Sequence, residues 1–189
     1  DAVDEATVLT LTDLPAHDSL DLSFVLAVLD SWDGDDTNDG GPDVFTVTLD
    51  GDVIFQESLS NIATSSQSFA PPEGVKLIEN ENRGFGDALD SLYDFRLGSE
   101  IFSGIAHTGE TATITFSAGG AGYEGGAEES FAIDNVTVRA YDSTAEDPAE
   151  PVFAFATDFN EGVPELFSGE GTAQPVAGFG PEAVQLDEA

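Results

Sequence analysis

Six aspartates crowd into fourteen residues: Asp30, Asp33, Asp35, Asp36, Asp39 and Asp43, with no lysine or arginine among them. Carboxylates this close repel one another, by about 1 kcal/mol per pair at 4 Å in water and by more at a protein's lower dielectric. Strong salt screens the repulsion, and a hard cation offsets it directly. Calcium suits such a loop, because it takes about six to eight oxygen ligands from carboxylates, carbonyls and water. Asp30, Asp33 and Asp43 are the expected ligands, and Glu129, Asp134 and Asn135 join them if their segment lies alongside. The spacing is not that of an EF-hand, which needs a Glu at the twelfth loop position. Counted from Asp33 or Asp35, that position holds Val44 or Thr46. The competing reading is a solvated acidic loop that holds no ion.

Other chemistry-bearing patterns are weaker. Gly120, Gly122 and Gly125 spell a dinucleotide fingerprint, but that motif needs a helix behind it to receive a pyrophosphate. A strand pattern follows instead, and Glu124, Glu128 and Glu129 would repel phosphate. His17-Asp18-Ser19 contains the three residue types of a hydrolase triad, yet triads assemble from positions separated in sequence. A glycosidase needs only two carboxylates at a set separation, and 38 acidic residues give no means of choosing a pair. The chain is therefore read as a non-enzyme. Trp32, the one tryptophan, sits inside the acidic loop, where it either presents an aromatic platform to a glycan or caps the core beneath.

The elements that must position these residues are strands. In Leu20 to Leu29, Leu20, Leu22, Phe24, Leu26 and Val28 alternate on one side, with Val25, Ala27 and Leu29 on the other. That pattern predicts a central strand buried on both faces. Thr7 to Leu14 reads as a strand ended by Pro15. Phe45, Val47 and Leu49 alternate with threonines, and Asp50-Gly51 supplies a hairpin turn into Val53 and Phe55. Residues 58–74 read as a loop, 75–79 as a short strand, 80–100 as irregular chain, and 101–107 and 112–116 as strands. Phe131 to Tyr141 is a strand whose apolar register shifts at Asp134-Asn135, predicting a β-bulge that aims both side chains toward a site. No helical period appears. The fold class expected is all-β, a jelly-roll-like antiparallel β-sandwich. Its core spans residues 1–141, followed by a polar linker, 142–151. The segment 152–189 is too apolar for a free tail. Val152, Phe153, Phe155, Phe159 and Phe167 mark it as a strand that completes either its own sandwich or a neighbour's.

Composition narrows the partners. Four Lys and Arg against 38 Asp and Glu give a formal charge of −34, which argues against nucleic acid and anionic membranes as partners. A hydrophobic fraction of 40% with strong strand periodicity argues against disorder. There is no cysteine, hence no disulfide, and no apolar run long enough for a membrane-spanning helix. Methionine is absent, so a mature processed chain or an excerpt of a longer one is expected. The acidic, cation-hungry character points to secretion.

The stretches LTLTDLPAHDSLDLSFVLAVLDSWDG, PDVFTVTLDGDVIF, FSGIAHTGETATITF and EESFAIDNVTV together resemble a jelly-roll repeat domain of large secreted bacterial proteins, often found beside calcium-binding repeats and adhesion or carbohydrate-active modules. The resemblance covers roughly residues 7–140 and implies fold more than activity. A segment similar to TDFNEGVPELFSGEGT opens the family's domain but here occupies residues 157–172, so the chain looks circularly permuted. A tandem array cut out of frame, a donated strand and a tail folded on its own domain all produce that order. The expected function is a secreted, calcium-stabilised subunit or repeat of an extracellular filament or adhesin. Copies of it would assemble head to tail by strand donation. The alternative is a calcium-dependent carbohydrate-binding module with cell-surface glycans as partners.

Overall fold

Alternation of apolar residues on both sides of Leu20 to Leu29 produces β2 (Ser19–Asp30), the long strand around which the other elements pack. The computed structural model describes residues 5–37, 40–82, 89–97, 100–126, 128–160, 162–169, 172–174 and 183–185. Before β2 lies β1 (Glu5–Leu11); after it come β3 (Val44–Leu49), β4 (Asp52–Ser58), β5 (Lys76–Glu81) and β6 (Asp90–Asp94). Then follow β7 (Ile105–Ala106), β8 (Ala112–Gly119) and β9 (Glu129–Tyr141). The C-terminal part contributes β10 (Phe153–Thr157), β11 (Phe167–Gly169), β12 (Thr172–Gln174) and β13 (Ala183–Gln185).

These strands form two antiparallel sheets packed as a sandwich, as the patterning predicts. One runs β11-β1-β8-β3-β4 and the other β12-β13-β9-β2-β6-β5, with β10 also on β9 and β7 on β2. The chain crosses repeatedly between the sheets, so many neighbours within a sheet are far apart in sequence, while β3 and β4, β5 and β6, β9 and β10, and β12 and β13 are consecutive. Leu20, Leu22, Phe24, Leu26 and Val28 face Phe45, Val47, Ile114 and Phe116 across the core. Phe24 is its centre, with ring centroids of Phe95, Phe116 and Phe102 at 4.9, 5.0 and 5.3 Å. The opposite side of β2 builds a smaller cluster from Ala27, Leu29, Leu92 and Ala132. Among the described residues no helix is long and apolar enough to cross a membrane.

Two expectations need correction. Residues 80–100 contain a strand, β6, paired with β2 from Val25↔Asp94 to Val28↔Ser91. Its sequence, DSLYD, hides the alternation because Asp90, Ser91 and Asp94 are buried polar residues. Conversely, only Ile105–Ala106 of the strand expected over 101–107 pairs in a ladder.

The C-terminal segment finds edges on its own sandwich. Val152 N donates to Ala140 O at 2.8 Å, and β10 then pairs back along β9 from Phe153↔Ala140 to Thr157↔Val136. β11 covers the edge of β1, Leu9↔Phe167, and Phe159 is buried against Phe167 at 5.2 Å. Phe153, Phe155 and Phe167 are half-buried and pack on the main core, while Val152 is exposed. At the opposite ends of the two sheets, the edge strands β4 and β5 carry Asp52, Glu57, Lys76, Glu79 and Glu81, and β5 is irregular at Asn80. Charge and irregularity on an edge discourage further strand pairing.

Candidate functional site

At its C-terminal end β2 leaves the sheet through Asp30, whose φ of 67° lies in the left-handed region. Asp and Asn tolerate that region because their short side chains bond locally. The chain then drives Trp32 into the core at 0% exposure; its indole N–H donates to Ser130 O at 2.9 Å and its ring meets Tyr123 edge-on at 5.3 Å. Asn61 latches the same turn, since its side-chain amide donates to Val28 O at 2.8 Å and Asp30 O at 3.2 Å. Its own N–H reaches Trp32 O at 2.7 Å. Trp32 therefore ties the acidic loop to the start of β9 and offers no face to a glycan. The platform reading is corrected by that burial.

This scaffold brings Asp33, Asp43 and Glu129 together. Asp43 is 0% exposed; its Oδ2 accepts from Asp33 N at 2.6 Å, and its own N–H donates to Gly34 O at 3.0 Å. Asp43 Oδ1 is buried and meets no N–H or O–H donor. Its carboxyl also reaches the carboxyl groups of Asp33 and Glu129, contacts that are hydrogen bonds only if one member of each pair holds a proton. Burial raises Asp43 above the usual carboxylate range despite the Asp33 N–H. Burial, with the charges of Asp43, Glu124 and Asp33, pushes Glu129 up to about 8, against the opposing bond from Glu124 N at 2.6 Å. Both described ammonium and guanidinium ion pairs lie elsewhere, Lys76 with Glu79 and Arg96 with Asp94.

The backbone beside Asp43 is shaped by glycine. A Cβ at Gly122 would collide with Gly41 O and lie 3.0 Å from Asp43 Oδ1, so the missing side chain leaves a niche bounded by two oxygens. An orphaned carboxylate oxygen beside a carbonyl in such a niche fits a hard cation's ligand chemistry. Among the described residues no three acidic or histidine side chains already converge at metal-binding distance, so an ion would have to draw them in.

The other expected ligands are placed differently. Asp30 is the ladder partner of Glu129, and its N–H points at Asp90 Oδ1, 3.4 Å away. The β-bulge is present: Ser23↔Thr137 and Val25↔Asp134 leave one β2 residue opposite two on β9, with Asn135 at φ 52°. It does not aim Asp134 and Asn135 at the loop. Asp134 lies five residues from Glu129, roughly 16 Å along a strand. There burial and the Asp158 charge push it up to about 6 against the Asn135 N–H and Arg96. Asp35 accepts from Ser58 Oγ at 2.5 Å, and Asp39 lies outside the described residues. Asn61, Gly122 and Gly41 escape a sequence reading. An Asn flanked by serine and isoleucine and a glycine in a Gly-rich loop carry no local signal of close approach.

The two histidines meet at the opposite end of β2. His17 Nδ1 lies 2.6 Å from Pro15 O, His17 Nε2 lies 2.6 Å from His107 Nδ1, and His107 Nε2 lies 3.0 Å from Asp50 Oδ2. Each of the three bonds needs a proton, and two neutral imidazoles carry two. Asp18 is engaged elsewhere, accepting from Ser143 N and Oγ, so no triad forms. No family model, curated protein or solved structure matches the chain.

Proposed function

We propose that the chain is a calcium-stabilised β-sandwich unit of a secreted structural protein, a subunit or repeat of an extracellular filament or adhesin. The observation that carries this reading is Asp43: a fully buried carboxylate with one oxygen lacking a donor, set against the Glu129 carboxyl. A buried charge without a counter-charge costs several kcal/mol, so such a group is expected to be protonated or to meet a cation. Asp33, Asp43, Glu129 and the Gly41 carbonyl would hold the ion, with Asp30 next to them on the ladder. Bound calcium would supply the positive charge that the loop lacks and fasten β2, β3 and β9 at one end. Asp134 and Asn135 have no part in this set.

The assembly half of the proposal rests on segment 152–169, which closes the β9 and β1 edges from the far side of the exposed linker 142–151. Re-forming the same ladders on a neighbouring copy exchanges identical contacts, so strand donation costs little beyond opening the linker. A chain of charge −34 repels its copies unless ions neutralise part of it, which ties assembly to calcium. Electron microscopy and sedimentation of the full chain, with calcium and with chelator, test this. Filaments or oligomers that need both calcium and residues 152–189 are expected. Monodisperse monomers under both conditions contradict the assembly reading.

A further inference from the structure

Apart from the acidic site, a cleft of about 560 Å³ lies over the outer face of the sheet that carries β3, β4 and β8. It is built by strand register. Gln56, Thr46 and Ser117 are ladder neighbours and form a polar row across three strands, with Gln56 Nε2 donating to Thr46 Oγ1 at 3.3 Å. The next row is Ser58, Val44 and Gly119, where the glycine leaves depth. Asp35 and Glu57 form the rim, each accepting a hydroxyl, from Ser58 and Ser68 respectively. Those two serines also exchange backbone bonds, Ser58 N to Ser68 Oγ at 2.8 Å and Ser68 N to Ser58 Oγ at 2.7 Å, so the rim is preformed. Pro42 and Gly120 close the end nearest the acidic loop.

The lining decides the ligand class. It contains no Lys, Arg or His, so nothing in it recognises phosphate, sulfate or a uronic acid. A cationic ligand would be met by carboxylates alone. Here the floor is an amide and hydroxyls, groups that both donate and accept, and each rim carboxylate has lone pairs beyond the one used by its serine. A molecule carrying many hydroxyls needs that mixture. The volume falls within the usual range of small-molecule sites, about 300–1,000 Å³. No aromatic side chain lines the cleft, so recognition would proceed through hydroxyl edges and not through ring stacking.

We propose that this cleft binds a neutral saccharide. Asp33, Asp43 and Glu129 do not line it, so the proposal stands or falls separately from the calcium reading. The test uses the full chain on an array of immobilised neutral oligosaccharides of glucose, galactose, mannose and xylose, with acidic glycans and polylysine alongside. Titration calorimetry with the best oligosaccharide follows, in calcium and in chelator. Thr46→Trp fills the floor from a strand position that tolerates aromatics, and Gln56→Ala removes an exposed donor; a melting curve for each verifies folding. Binding of a neutral oligosaccharide, weakened at least tenfold by both substitutions in folded protein, is expected. Equal binding in calcium and chelator supports the cleft by itself. Retention of no neutral glycan, retention of polylysine alone, or an affinity that Thr46→Trp leaves unchanged would overturn the proposal.

Discussion

Replacing Glu129 with glutamine removes one buried charge and keeps an oxygen for Glu124 N. In the ion-free chain the Glu129 carboxyl is pushed from 4.5 up to about 8. The folded state thus holds this proton more tightly than the unfolded state does. Stability from this group is full below pH 4.5 and is lost as pH rises toward 8. The interval from 4.5 to about 8, at about 1.36 kcal/mol per unit, gives an upper limit of about 5 kcal/mol. At about 2–4 °C per kcal/mol for a chain of this size, wild-type Tm in chelator should fall by on the order of 10 °C between pH 5 and 9. Asp134 is raised as well and acts in the same direction, but it is present in both proteins and largely cancels in the comparison, whereas Asp43, in contact with Glu129, shifts with the substitution. Scanning calorimetry of Glu129→Gln should therefore show a flatter profile and a higher Tm at pH 9. Calcium should restore the wild type at pH 8 and do little for the variant. Parallel Tm profiles of the two proteins from pH 5 to 9 would refute the reasoning, since Glu129 would then carry no buried charge.

Phe24→Ala should cost about 3–5 kcal/mol in urea unfolding, because Phe95, Phe102 and Phe116 surround the ring and leave little room to collapse. Asn61→Ala should cost about 1–3 kcal/mol by the same assay, as the Val28 and Asp30 carbonyls lose a buried donor. Deleting residues 152–189 removes the strands that cover β9 and β1, so size-exclusion chromatography in calcium should show monomers of the deletion variant where the full chain gives oligomers. Trp32→Ala should lower Tm strongly without a specific loss of saccharide affinity in protein that still folds, since the indole is enclosed.

How far the sequence carries depends on whether a residue's role is written in its neighbours. β2 was legible from the two-sided apolar run at Leu20 to Leu29, and the bulge from the register slip at Asp134-Asn135. β6 was not: Asp90, Ser91 and Asp94 are buried by partners that lie far off in the chain, so a central strand looks like a polar loop. Among the acidic residues, charge density marked the loop but not the geometry. Glu129 meets Asp43 because β9 begins beside the exit of β2, whereas Asp134, on the same strand, is carried away by strand length. Trp32 shows the converse. An aromatic among aspartates fits either a glycan platform or a cap on the core, and the bond to Ser130 O and the contact with Tyr123 decide for the cap. The polar cleft had no linear signature, since its floor is assembled from alternate residues of three strands.

The most direct measurement is a calorimetric titration of calcium into chelator-treated protein at low salt, for the wild type and for Asp43→Asn. Asparagine keeps an oxygen for Asp33 N but removes the charge at the centre of the cluster. Saturable binding by the wild type, lost or weakened at least tenfold in a folded Asp43→Asn, is the expected result. No saturable binding, or binding of equal strength in both proteins, would contradict a calcium site at Asp33, Asp43 and Glu129.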